Sequence, residues 1–174
     1  MRKVLKITTV VMLLCVLPLP VTSGMDLNGH INGFNGFYLG DRLRDVIPFL
    51  EVKNISYKRL SVAHHTFIDA ETVKWKVRLV FNYLGFLYAI HVQVKLEDDH
   101  YTRLVSHLDS KYGDHKKNNT EKCQGLQWST GDRYSMTVNR GDNKMVYIYY
   151  IDHLFYRGTL EWEHPVKPSP YDAF

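Results

Sequence analysis

Histidines, carboxylates and cysteines are the groups in this chain able to bind metals or move protons: nine His, eighteen Asp and Glu, and two Cys. Their spacing decides against most such chemistry. His64 and His65 are adjacent, and neighbours on a strand point to opposite faces, so the pair does not chelate jointly without a bulge. No His-x-His spacing occurs, and no metal site is read from the histidines. His91 falls on the polar face of a strand pattern and His107 on the polar side of a helix pattern. Glu97, Asp98 and Asp99 stand where a helix begins, and capping of its positive end explains them without catalysis. Glu161 and Glu163 flank Trp162 on one side of an extended stretch, with no sign of the cleft that acid–base catalysis needs. No Gly-x-Ser-x-Gly or phosphate-binding glycine loop occurs, since Gly36, Gly40 and Gly85 sit at turns. Cys123 has no diagnostic surroundings beyond Lys122, a neighbour that need not face it. The pattern therefore predicts no catalytic residue, no metal site and no cofactor.

Binding chemistry is better represented. Lys74, Lys76 and Arg78 alternate with apolar residues and form a basic face directed at solvent or at a partner. Tyr147 and Tyr149 alternate with Val146, Ile148 and Tyr150, giving a strand apolar on both sides. Either that strand is covered twice, or one face is an exposed tyrosine-rich surface. These five residues, Lys74, Lys76, Arg78, Tyr147 and Tyr149, are the expected contact site. Arg140-Gly141-Asp142 matches an integrin-binding tripeptide, but a hairpin turn calls for the same residues. Asn54-Ile55-Ser56 and Asn118-Asn119-Thr120 are glycosylation sequons that matter only in a eukaryotic host.

The elements that must position these residues follow from periodicity. Leu43, Val46, Ile47 and Leu50 mark a short helix capped by Asp41, stopped or kinked at Pro48. Residues 54–68 form a weakly patterned strand. Thr72 to Tyr83 alternates strictly, with Val80 the exception, and turns at Leu84-Gly85 into Tyr88, Ile90, Val92, Val94 and Leu96. Tyr101, Leu104, Val105, Leu108 and Tyr112 then define a helix of about four turns that ends at Gly113. A polar loop from Asp114 to Lys122 precedes strands at Leu126–Trp128, Tyr134–Val138 and Lys144–Ile151, the last two joined by a turn at 140–143. Helix and three strands, twice over, predicts an α+β fold: two helix-plus-antiparallel-meander units, residues 37–96 and 98–151, with helices packed on the sheet.

The ends are read differently. Arg2, Lys3 and Lys6, a short apolar run from Val10 to Leu17, and Val21-Thr22-Ser23 predict a signal peptide over residues 1–23, cleaved after Ser23 or, as second choice, after Gly24. The run is shorter than the roughly 20 residues a membrane-spanning helix needs, so no transmembrane segment is expected after cleavage. Cys15 does not make a lipidation site, because Leu14 precedes it and apolar residues follow. The Gly- and Asn-rich stretch 24–36 reads as an N-terminal loop, and residues 152–174, with Pro165, Pro168 and Pro170, as a C-terminal tail. Removing the signal takes three cations and leaves 19 Lys+Arg against 18 Asp+Glu. So neutral a domain lacks the footprint of a nucleic-acid binder. Cys123 alone remains, so no internal disulfide forms, and it is either a buried thiol or an intermolecular bridge.

Phe37-Tyr38-Leu39-Gly40-Asp41 leading into the first helix, Lys111-Tyr112-Gly113 closing the second, and the repeated helix-then-meander order resemble small bacterial envelope domains. The likeness is to the barrel-assembly lipoprotein and to the β-lactamase-inhibitor proteins, whose lipidated or paired cysteines this chain lacks. It implies a binding or scaffolding role in the envelope. The function expected is an exported, periplasmic, non-catalytic protein that binds a protein or other envelope component. The alternatives are an exported hydrolase whose site has no recognised motif, which requires a deep cleft holding His with Asp or Glu, and a secreted host-directed factor.

Overall fold

A computed structural model describes residues 23–25, 31–120 and 123–157. The signal-peptide expectation for residues 1–22 and the proline-rich end beyond 157 lie outside the described residues. The fold is mixed α+β and mostly sheet. Three short strands, β1 (Ser23–Met25), β2 (Ile31–Phe34) and β3 (Phe37–Tyr38), form a small sheet in that order. Helix α1 (Leu43–Val52) leads to β4 (Ser56–Val62), β5 (His65–Glu71), β6 (Trp75–Phe81) and β7 (Leu87–Lys95). Helix α2 (Asp98–Tyr112) leads to β8 (Lys116–Thr120), β9 (Cys123–Thr130), β10 (Tyr134–Arg140) and β11 (Met145–Asp152). These eight strands make one antiparallel sheet in the order β4-β5-β6-β7-β11-β10-β9-β8.

Alternation gives the large sheet two unlike faces. Ile68, Leu79, Ile90, Tyr150, Met136 and Trp128 lie side by side across six strands, and all are buried. Ala70, Val77, Val92, Ile148 and Val138 form the next buried row. Val46 and Leu50 of α1, Leu108 of α2, and Ile31, Phe34 and Phe37 of the small sheet cover that inner face. Phe34 and Phe37 meet Trp75 edge-on at 5.7 and 6.5 Å.

Several boundaries differ from those the pattern predicts. The 24–36 stretch is not simply a loop: it takes in the end of β1 and all of β2, and Ile31 and Phe34 belong to the core. Asn35 and Gly36, with φ of 49° and 90°, make the two-residue turn that pairs Phe34 with Phe37. Asp41 does not cap α1. Its carboxylate accepts the Tyr38 N–H at 2.7 Å, and Arg42 takes the cap position without a side-chain bond. Pro48 does not end α1, which runs on to Val52. Burial of Val46 and Leu50, about 1.5–3 kcal/mol each, offsets the roughly 3 kcal/mol an interior proline costs.

The weak strand at 54–68 is two strands, β4 and β5, turning at Ala63-His64, where Ala63 has φ 50°. The polar 114–122 loop contains β8, an edge strand held by β9. Each helix is therefore followed by four strands, not three. Tyr88 also leaves its expected face. A bulge opposite Val80 and Phe81 turns it outward, where it packs with Val80 and Ala89 and bonds His65 Nδ1 through its hydroxyl at 3.2 Å. The chain does not fall into a tail at 152. Asp152 is buried in β11, and residues 153–157 form a helical turn that lays Phe155 over this outer cluster.

Candidate functional site

The outer face of the large sheet carries the residues singled out for contact. One register row crosses all eight strands as Lys58, Asp69, Arg78, His91, Tyr149, Thr137, Gln127 and Lys116. The row beside it holds Ser56, Glu71, Lys76, Gln93, Tyr147 and Asn139. A third row, with Phe67, Val80, Ala89 and Ile151, is apolar, and the 153–157 turn packs there. The outer face is thus closed at its apolar end and open along its two polar rows.

Lys76, Arg78, Tyr147 and Tyr149 come together there, with Lys58, Asp69, Glu71, His91 and Gln93, around an open hollow of about 450 Å³. Lys74 stands apart from them. It belongs to the bend between β5 and β6, because Thr72 closes that bend by donating its N–H to the Trp75 carbonyl. The Thr72 hydroxyl accepts the N–H groups of Lys74 and Trp75 at 3.2 and 3.3 Å. The strand predicted from Thr72 therefore begins at Trp75, and Val73, 104% exposed, points into water. At the other end Tyr83 lies exposed in the turn, where the buried Asn82 side chain accepts the Leu84 and Phe86 N–H groups. Lys74 lines a second, smaller hollow with Lys76, Gln93, Lys95 and Met145.

Charges on the two polar rows are largely paired. Arg78 grips Asp69 through Nε and Nη2 at 2.6 and 2.8 Å, which holds the Asp69 carboxyl below its usual range. Lys76 Nζ lies 3.2 Å from Glu71. Exposed pairs of this kind stabilise by about 0.2–1 kcal/mol each, so they order the surface more than they hold the fold. His91 packs edge-on against Tyr149 at 5.1 Å. Burial first, and then the Arg78 charge, lowers its pKa and favours the neutral ring. The tyrosine strand is thus central in the sheet, yet Tyr147 and Tyr149 remain only half-buried.

Asp69 and His91 are two strands apart, about 10 Å, and Arg78 stands between them, so they share no proton. Other histidine pairs lie elsewhere. His115 donates its backbone N–H to Asp109 Oδ1 and places Nδ1 2.9 Å from it, while Trp128 donates its indole N–H to the same oxygen at 3.1 Å. With Trp128 buried in the core, this cluster ties α2 to β9. Ser135 and His153 approach to 2.8 Å, but Ser135 is buried. The nearby Asp152 is taken up by Arg133 and by the N–H groups of Leu154 and Phe155. The His115–Asp109 and Ser135–His153 contacts line neither hollow of the sheet.

Remaining candidates are placed as follows. The acids at the start of α2 make no side-chain cap; Glu97 pairs with Lys144 and Asp98 with Arg140. Arg140 also lies over the Tyr101 ring at 5.0 Å, so the Arg-Gly-Asp turn is tied to the helix. The Cys123 side chain, the Asn118 side chain, Glu161 and Glu163 lie outside the described residues. No group of three metal-ligating side chains occurs among the described residues, nor any helix long and apolar enough to cross a membrane. Periodicity alone did not join Lys58, Asp69 and Glu71 to the site, because their placement depends on the β4–β5 register. Comparison with family models, with curated proteins and with solved structures finds no match to the chain.

Proposed function

We propose that this is an exported, non-catalytic binding protein that docks another macromolecule, a protein of the bacterial envelope, on the outer face of its large sheet. One observation carries the reading. A central region of an eight-stranded sheet leaves Lys76, Arg78, Tyr147 and Tyr149 together at an open hollow, while the opposite face is buried under both helices and the small sheet. Tyrosine and arginine are the side chains enriched where proteins bind one another. The basic, apolar and small-residue run of positions 2–23 supports export, with the periplasm as destination. We read the sheet as two copies of one plan, α1 with β4–β7 and α2 with β8–β11, joined through β7 and β11.

The test uses protein purified from cells expressing the full chain. Affinity capture from envelope extract, followed by mass spectrometry, should recover a specific protein that Tyr147→Ala/Tyr149→Ala fails to retain. Equal recovery by the variant would refute the sheet-face site. Cell fractionation checks the compartment, and N-terminal sequencing should find Gly24 or Met25 as the first residue.

A further inference from the structure

Two hollows adjoin, sharing Lys76 and Gln93, but differ in charge; the larger lies on the outer face and the smaller at the sheet end beside the β5–β6 bend, where Trp75 and Val94 also line it. In the larger, both carboxylates are already engaged, Asp69 by Arg78 and Glu71 by Lys76. The smaller, about 160 Å³, is lined by Lys74, Lys76 and Lys95 and by no carboxylate. Lys74 and Lys95 are exposed, and neither has an ion-pair partner among the described residues. Three lysines therefore converge in a chain whose residues 24–174 are nearly neutral. Register places Lys95 opposite Met145, two residues from Tyr147, so the cationic hollow leads onto the tyrosine shelf.

Resting on the sheet-face reading, we propose that the occupant is an acidic protein segment. Its carboxylates sit among Lys74, Lys76 and Lys95, and an aromatic or apolar side chain lies on Tyr147 and Tyr149. Lys74 and Lys95, which carry no counter-charge, attract an anionic partner and set its orientation, with Lys76 shared between Glu71 and that partner. Asp69 and Glu71 separate this occupant from a uniformly anionic polymer. A nucleic acid or acidic polysaccharide laid across the face would run its charges over two closed ion pairs, Asp69–Arg78 and Glu71–Lys76, and gain little there. A protein segment places its acids at one end only, and the half-buried tyrosines next to the lysines offer ring faces to the rest of it.

The probe is a synthetic eight-residue peptide of alternating Glu and Tyr, titrated into isotope-labelled protein purified from cells expressing the full chain. Comparators are the Lys–Tyr counterpart and inorganic polyphosphate. Saturable amide shifts are expected at Lys74–Lys76, Gln93–Lys95 and Met145–Tyr149, weakening as salt rises. Lys74→Glu/Lys95→Glu should weaken binding about tenfold, the sum of lost attraction and new repulsion at exposed sites. Lys74→Gln/Lys95→Gln, which removes charge without adding any, should give a smaller loss in the same direction. An equal response to the Lys–Tyr peptide, no saturable response to Glu–Tyr, or tighter binding of polyphosphate would overturn the proposal. Should an envelope partner be lost from Tyr147→Ala/Tyr149→Ala but kept by Lys74→Glu/Lys95→Glu, the acidic occupant fails and the sheet-face reading stands. Retention by both variants defeats the sheet-face reading itself.

Discussion

Asp152 offers a sharp perturbation, because one buried carboxylate serves two structures. Its side chain is 0% exposed. Oδ2 accepts Nε and Nη2 of Arg133 at 3.0 and 2.9 Å, while Oδ1 accepts the N–H groups of Leu154 and Phe155 at 3.0 and 3.4 Å. Oδ1 thus caps the 153–157 turn, and Oδ2 anchors the β9–β10 turn. Losing a cap costs about 1 kcal/mol, and losing charge-assisted bonds about 1.5–3 kcal/mol. The lower end applies here, since Arg133 is 45% exposed and rehydrates when its partner is removed. Asp152→Ala should therefore destabilise by about 2.5 kcal/mol, and Asp152→Asn, which keeps the capping oxygen, by about 1.5 kcal/mol. Urea unfolding measures both. Amide exchange should quicken first at Val80, Tyr88 and Ala89, which Phe155 covers. A loss below about 1 kcal/mol for the alanine variant, or equal losses for both, would refute the double role.

Three further outcomes are expected. Pro48→Ala restores the N–H that α1 lacks at that turn and should stabilise the protein by about 1–2 kcal/mol in urea unfolding; an unchanged midpoint would mean the ring packs usefully. Gly33→Ala sets a Cβ 2.1 Å from the Phe37 carbonyl oxygen, so β2 and β3 must part. A loss of about 1–3 kcal/mol, with altered Trp75 fluorescence, checks this. Bonds from His115, then from Trp128, hold the Asp109 carboxyl below its ordinary 3.8. Its stabilisation is therefore present above the unfolded-state value and lost as pH falls through the folded one. Asp109→Asn should flatten the acid limb of the stability–pH curve and shift Trp128 emission.

Legibility varied with how far each element's pattern is its own. Helix α2 reads well, because its apolar stripe and terminal glycine agree, although its N-cap is Glu97 and none of its acids makes a side-chain cap. The β6–β7 hairpin reads nearly as well, although the Thr72 bend claims its first three residues. Strand β8, Lys-Lys-Asn-Asn-Thr, carries no pattern because it is an edge strand, and its pairing comes from β9. The β4–β5 hairpin hides because Ala63 and His64 lack turn chemistry and β4 is exposed along nearly its whole length. Asn35-Gly36 did advertise a hairpin, but the surrounding glycines and asparagines resembled loop. At the site, alternation identified Lys76, Arg78, Tyr147 and Tyr149. Their neighbours Lys58, Asp69 and Glu71 came only with three-dimensional register.

The pairing of β7 with β11 bears on how the chain reaches this structure. Neighbouring hairpins on either side of that pair close short loops, whereas each rung between Lys95 and Met145 or Ala89 and Ile151 spans α2 and three strands. Closing such a long loop costs entropy that local zipping does not. Each side is therefore expected to gain its hairpins first, with the β7–β11 rungs limiting the folding rate. Destabilising Val92 or Ile148 on that seam should slow folding, while equal losses at β8, the far edge, should speed unfolding instead.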